Sequence, residues 1–123
     1  MGAELVHFEI AADDLEKMAS FYRETLGWTI EPGSLEYPDY LVIKTSDRED
    51  MPCGGMMKKM MPEQGLLNYY GVDSIEEFNA KVRENGGQVV MEKMPVPGMG
   101  YFSVCLDPEG NPFGLWLTDE SAG

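Results

Sequence analysis

The strongest constraint on the fold is an internal repeat with a period of sixty residues. Residues 5–30 and 66–90 share one order of features: an apolar run, an acidic start, an amphipathic segment, a glycine and a second apolar run. A shift of sixty brings Gly27 onto Gly87 and aligns the apolar positions between them. Self-similarity at a fixed spacing predicts that one supersecondary unit occurs twice in the chain.

Each repeat contains one predicted helix with signals at both ends. The spacing of a capping box occurs in both repeats, at Asp13 with Glu16 and at Asp73 with Glu76. In a capping box each side chain accepts a hydrogen bond from the other residue's backbone N–H. Apolar residues follow at helical spacing on one face. Gly27 is expected to end the first helix, because glycine adopts the left-handed conformation at little cost.

Short apolar runs, separated by turn-forming residues, follow each predicted helix. They predict strands at about 28–31, 40–45 and 53–59 in the first repeat and at about 88–92, 101–106 and 112–118 in the second. Each repeat is therefore expected to be a βαβββ module. We expect a single domain over residues 1–123, with module one at about 5–60, a linker at 61–66 and module two at about 67–118.

The charge of the chain excludes several classes of partner. Nine basic and 22 acidic residues give a net charge of −13, which is unsuited to nucleic acid or to anionic membranes. No run of about 18 apolar residues predicts a membrane span, and the N-terminus lacks the pattern of a signal peptide. The two cysteines form no disulfide framework. A cytoplasmic protein with free thiols is therefore expected.

Two passages carry a resemblance to a known family: VHFEIAADDLEKMASFYRETLGW near the start and DPEGNPFGLW near the end. Together with the paired modules, they resemble the vicinal oxygen chelate superfamily of glyoxalases, bleomycin-resistance proteins and extradiol dioxygenases. The resemblance implies an α+β fold, in which a cup-like, mostly antiparallel eight-stranded sheet has the helices on its outer face. It also implies a homodimer. It is specific for fold and much less so for function.

In this superfamily a divalent metal is bound by the first and last strands of each module. By position, those ligands fall on His7, Leu67, Gly114 and a residue near Gly54. Leucine and glycine side chains donate nothing, whereas an open catalytic metal site needs about three protein ligands. A shifted alignment brings Glu49 or Asp50 closer. No cofactor is therefore expected, and a divalent metal with His7 as one ligand is the alternative.

Alternation along the strands predicts which side chains line the cup. The expected ligand-binding residues are His7, Glu9, Met56, Lys58, Leu67, Tyr69 and Trp116. A largely apolar and aromatic lining with a few polar groups is typical of a small-molecule site. His7 and Glu9 are also the candidate catalytic pair, since a carboxylate can keep a nearby histidine charged. A purely structural role for both residues is the competing interpretation.

Three functions are consistent with these features. The first is metal-independent binding of a small, partly aromatic organic molecule in the cup. The second is a metal-dependent lyase, isomerase or dioxygenase of the glyoxalase type, with His7 as a ligand. The third is a metal-free enzyme with His7 as its base. The sequence identifies neither the ligand nor whether one chain or a dimer builds the cup.

Overall fold

The computed structural model describes residues 2–33, 39–49, 52–60, 62 and 64–123. The elements are β1 (Glu4–Ala12), α1 (Leu15–Leu26), β2 (Thr29–Pro32), β3 (Leu41–Lys44), β4 (Cys53–Lys58), β5 (Leu66–Gly71), α2 (Ile75–Glu84), β6 (Gln88–Val96), β7 (Gly100–Leu106) and β8 (Pro112–Thr118). The strands form an eight-stranded mixed sheet in the order β2-β3-β4-β1-β5-β8-β7-β6. The predicted α+β class and both βαβββ modules are confirmed.

Neither helix in the described ranges has the length and apolar character that crossing a bilayer requires.

Both helices begin at capped residues, one position later than predicted. The Asp14 side chain accepts a hydrogen bond from the backbone N–H of Lys17 at 3.0 Å, and Ser74 accepts one from Glu77 at 3.1 Å. Asp14 and Ser74 have extended backbones, as helix caps require, and the residues after them begin the helical turns. The choice of Asp13 and Asp73 as caps was therefore wrong.

The end of α1 is fixed as the sequence predicted. Gly27 has a φ of 71° and donates its N–H to the Arg23 carbonyl at 3.0 Å, which closes the last turn. The Arg23 guanidinium also donates to the carbonyl of Ile30 at 2.6 Å. This bond ties the last turn of the helix to β2.

The chain forms two compact units. The first unit is His7–Leu67, and the second is Met1–Val6 together with Asn68–Gly123. In the first unit β4 pairs parallel with β1 and antiparallel with β3, which pairs antiparallel with β2. In the second unit β8 pairs parallel with β5 and antiparallel with β7, which pairs antiparallel with β6. The single domain and the linker remain predictions.

Each unit packs a helix against one face of its own strands. The buried core of the first unit is Ile10, Ala19, Ile30, Leu41, Ile43 and Met56. The buried core of the second unit is Ile75, Cys105 and Leu115, with apolar residues of α2 packed around it. A buried hydrogen bond of 2.8 Å from the Ser103 hydroxyl to the Asn79 side chain joins β7 to α2. The face of the strands away from each helix is the face on which a ligand site is expected.

Candidate ligand-binding site

The pairing of β1 with β4 determines which side chains of the first unit share the helix-free face. His7 lies opposite Cys53, and Glu9 lies opposite Gly55. Residues in register point to the same side of a sheet, so these four positions share one face. Phe8 and Ile10 point to the other side and pack on the core beneath α1. The predicted orientation of His7 and Glu9 away from the helix is therefore confirmed.

The same register corrects the predicted orientation of β4. Met56 lies opposite Ile10, is fully buried and belongs to the core beneath α1. Lys58 lies opposite Ala12, on that same side, and is exposed. The expectation that Met56 and Lys58 line the helix-free face was therefore wrong. The β4 residues that share the face of His7 are Cys53, Gly55 and Met57.

Tyr40, which no sequence pattern indicated, connects the two predicted site residues. Its hydroxyl donates to Glu9 Oε2 at 2.8 Å and lies 2.8 Å from His7 Nε2. Its ring is nearly parallel to the imidazole, at an interplanar angle of 15°, and the ring centres are 6.5 Å apart, so the hydrogen bond and not stacking connects them. The Tyr40 carbonyl accepts a hydrogen bond from Gly33 N–H at 2.9 Å, which holds the residue at the start of β3. His7, Tyr40 and Glu9 form one partly buried hydrogen-bonded chain.

Gly55 makes room for this arrangement. A Cβ atom at position 55 would overlap the hydroxyl oxygen and Cζ of Tyr40 and would lie 2.6 Å from Cε1. Real Cβ atoms do not approach other heavy atoms so closely, so a side chain at position 55 and this placement of the phenol exclude each other. The backbone of Gly55 has no positive φ, so the glycine is required for space and not for conformation.

Hydrogen bonds and burial both act on the protonation of His7. The Tyr40 hydroxyl donates to the Glu9 carboxylate, whereas the donor in its bond with His7 Nε2 depends on the imidazole tautomer. Burial lowers the pKa of His7, against weaker opposing effects of the Glu9 charge and of a hydrogen bond to the Cys53 backbone. Burial therefore disfavours the charged form of His7. The Glu9 charge acts on the pKa in the expected direction, but burial has the larger effect.

The helix-free face of the second unit carries aromatic residues. Tyr69 lies opposite Gly114, and Phe102 lies opposite Trp116. The rings of Tyr69 and Phe102 meet edge to face at 6.4 Å. The Trp116 indole N–H donates to the Thr118 hydroxyl at 2.9 Å. The predicted orientation of Tyr69 and Trp116 away from α2 is confirmed, because Leu115 and Leu117 pack on the helix side.

Gly114 has the same relation to Tyr69 as Gly55 has to Tyr40. A Cβ atom at position 114 would overlap Cδ1 and Cε1 of Tyr69 and would lie 3.0 Å from Cγ. Within its own unit, each glycine therefore lies under a tyrosine ring. Leu67, the last residue of the first unit, is half-buried in β5.

The register also corrects the position that corresponds to a metal ligand in the first module. Gly55 lies opposite Glu9, and Gly114 lies opposite Tyr69. Tyr69 is the repeat counterpart of Glu9, because it follows sixty residues later. The counterpart of Gly114 is therefore Gly55 and not Gly54.

The side chains at the four expected positions do not fit a bound metal. Three of these positions, Leu67, Gly55 and Gly114, have no donor atom, which leaves His7 alone. Over the described ranges, no three His, Cys, Asp or Glu side chains are grouped as a metal site requires. Glu49 is exposed, and Asp50 lies outside the described residues.

The two modules and their sheet define an α+β protein of the paired βαβββ class. A family model described as the Glyoxalase/Bleomycin resistance protein/Dioxygenase superfamily matches residues 4–115. The chain therefore belongs to this superfamily, as its sequence resemblance predicted.

Three relatives illustrate the range of the similarity. A glyoxylase-like domain-containing protein from Didymella fabae is 30% identical over 108 residues, covering 84% of each chain. The protein CFP32 of Mycobacterium tuberculosis is 33% identical over 118 residues, covering 90% of this chain and 42% of its own length. The anthracycline biosynthesis protein DnrV of Streptomyces peucetius is 28% identical, covering 89% and 45%. The chain thus spans less than half the length of the last two.

Solved structures share the fold at lower identity. A hypothetical protein from Bacillus halodurans C-125 matches with a TM-score of 0.70 at 19% identity, over 100% of this chain and 99% of that one. Methylmalonyl-CoA epimerase from Mycobacterium tuberculosis matches with a TM-score of 0.66 at 14% identity, over 94% and 88%. At this identity the likeness concerns the fold alone.

Proposed function

We propose that the chain binds a small, partly aromatic organic molecule through the helix-free face that carries His7, Tyr40 and Glu9, without the four-ligand metal site. The observation that carries the proposal is the position of Tyr40. Its phenol occupies the space in which a side chain at position 55 would begin. A fixed hydroxyl, an imidazole and a carboxylate are then the polar groups that this face offers a ligand.

A partly buried histidine with a lowered pKa and a specific carboxylate near it is a recognised sign of a functional site. A purely structural network is the competing explanation. It accounts for the hydrogen bonds, but it gives no reason why a histidine and a carboxylate lie together on the face that points away from α1.

The chemistry of this face favours one kind of ligand. The Glu9 carboxylate accepts hydrogen bonds and repels anions, and burial disfavours the positively charged form of His7 beside it. We therefore infer a neutral or cationic ligand that carries a hydrogen-bond donor, such as a phenol, an amide or an amine. Tyr69 and Trp116 remain proposed aromatic contacts on the second unit, where their rings suit stacking on a flat molecule.

The test combines a binding screen with a matched pair of variants. Phenols, aromatic amides and aromatic amines are screened by thermal shift in the presence of EDTA, and hits are measured by calorimetry. Tyr40→Phe removes the hydroxyl that joins His7 to Glu9, and we expect binding about tenfold weaker. Tyr22→Phe is the control, because its hydroxyl forms no hydrogen bond with any residue in the described ranges, and it should bind as the wild type does.

Two outcomes would contradict the proposal. If Tyr40→Phe and Tyr22→Phe bind equally well, the hydroxyl takes no part in binding. If hits bind only after EDTA is replaced by about one divalent ion per chain, the metal-dependent lyase, isomerase or dioxygenase becomes the better description, with His7 as a ligand.

A metal-free enzyme is a second candidate, favoured by the lowered pKa of His7. A lowered pKa favours the unprotonated imidazole, which is the form that can act as a general base. A turnover rate whose dependence on pH disappears in His7→Gln would support this candidate.

We also propose that the protein is a cytoplasmic homodimer, and light scattering after gel filtration measures the dimer directly.

A further inference from the structure

A shallow surface cavity of about 430 Å³, largely open to solvent, lies in the second unit, on the side of its strands that faces α2. Its volume falls in the range of about 300–1,000 Å³ that is common for ligand pockets. The rings of Tyr70 and Phe113, 5.9 Å apart, form one wall. Phe78 and Val82 of α2 also line the cavity. The cavity is therefore bounded mainly by aromatic and aliphatic groups, on the opposite face from Tyr69 and Trp116.

Two polar groups at this cavity have no hydrogen-bond or ion-pair partner among the described residues. The Lys81 ammonium lies 4.7 Å from the centre of the Phe78 ring and forms no ion pair there. The Tyr70 hydroxyl likewise makes no hydrogen bond to a described residue, although Tyr70 is half-buried. Among the residues that line the cavity, Lys81 is the one that carries a charge.

We propose that this cavity binds a small carboxylic acid with an aromatic or branched apolar body. The apolar body would lie against the rings of Phe78 and Phe113, because burial of apolar surface drives its entry. The carboxylate would pair with the Lys81 ammonium and accept a hydrogen bond from the Tyr70 hydroxyl. A cationic head group would be repelled by Lys81, and a neutral one would gain less. This site is separate from the proposed function, since its strand residues lie on the opposite face from Tyr69 and Trp116 and none of its residues belongs to the first unit.

The proposal is tested with two probes that differ only in charge. Naphthalene-2-carboxylate and its neutral analogue 2-naphthamide are titrated into ¹⁵N-labelled protein and followed by NMR. We expect the carboxylate to shift the amide signals of α2, β5 and β8 and to bind more tightly than the amide. Lys81→Met keeps an unbranched apolar side chain and should weaken carboxylate binding about fivefold, as expected for loss of one partly exposed charge pair. Lys81→Arg should retain binding.

Lys17→Met is the matched control, because Lys17 is an exposed lysine on α1 in the first unit. It changes the net charge equally and should leave binding unchanged. Equal binding of carboxylate and amide would overturn the proposal, as would equal weakening by Lys17→Met and Lys81→Met. Shifts confined to residues outside α2, β5 and β8 would overturn it as well. So would a free protein in which a second copy already covers the cavity, shown by cross-saturation of the α2 amides.

Discussion

Replacing Gly55 with alanine tests whether the space beside Tyr40 is essential. The new Cβ would overlap the phenol, and the β4 backbone is held by pairing to β1 and β3. The Tyr40 side chain would therefore have to move out of this position, and its hydrogen bonds to His7 and Glu9 would be lost. A hydrogen bond contributes about 1 kcal/mol, or about 2 kcal/mol when one partner is charged, so the expected loss of unfolding free energy is about 3 kcal/mol. In a chain of this size, that lowers Tm by roughly 10 °C.

The assay is a double-mutant cycle, with unfolding free energies measured in urea. In the Tyr40→Ala background the phenol is already absent, so Gly55→Ala should cost less than about 1 kcal/mol. Gly65→Ala is the control, since a Cβ atom there meets no atom within 4 Å and the backbone has no positive φ. Equal costs of Gly55→Ala in both backgrounds would refute the steric argument. A cost of Gly65→Ala as large as that of Gly55→Ala would refute it too.

The remaining predictions concern the second unit, pH and the thiols. Gly114→Ala should destabilise the protein by about 2–3 kcal/mol in urea unfolding, because its Cβ would overlap the ring of Tyr69; the argument fails if the change is neutral. The pKa of His7 is lowered in the folded state, so the unfolded state binds more protons below pH 6.5, and stability should fall as the pH drops from 6.5 towards the folded pKa. A His7→Gln variant should lack this component in urea titrations at pH 7.5 and 5, and identical pH dependence in both proteins would contradict it. Cys53 is exposed, whereas Cys105 is fully buried and burial raises its pKa. A thiol reagent should therefore modify one thiol in the native protein and two in denaturant. Fast modification of both thiols in the native protein would be inconsistent with this structure.

Local sequence signals predicted the elements well. Alternation of apolar and polar residues along β1 and β8 is clear, and the orientations of His7, Glu9 and Trp116 followed from it. β4 reads CGGMMK, with two adjacent glycines and two adjacent methionines. Such a segment has no visible alternation, so its orientation was predicted in error, and Met56 was assigned to the wrong face. The register of β4 with β1 determines which side chains of β4 share a face.

The candidate site was predicted only in part, because its organising residue is distant in the chain. Tyr40 lies 33 residues from His7 and 31 from Glu9, and no spacing rule connects them. The pairing of β3 with β4 brings Val42 opposite Gly55. Tyr40, just before β3, therefore reaches across Gly55 to the side chains of β1. The glycine at position 55 is informative only once that pairing is known.

The sequence by itself determined the repeat, the two helices, the strand pattern and the superfamily, because periodicity, capping residues and glycines act within a few residues of the chain. It also determined that three of the four expected metal positions have no donor side chain, although one of them was first assigned to Gly54. Only the tertiary structure decided that Tyr40 fills the space above Gly55 and joins His7 to Glu9. The physical reason is that register and close packing between strands depend on contacts across the sheet. Residues that are neighbours along the chain do not determine those contacts.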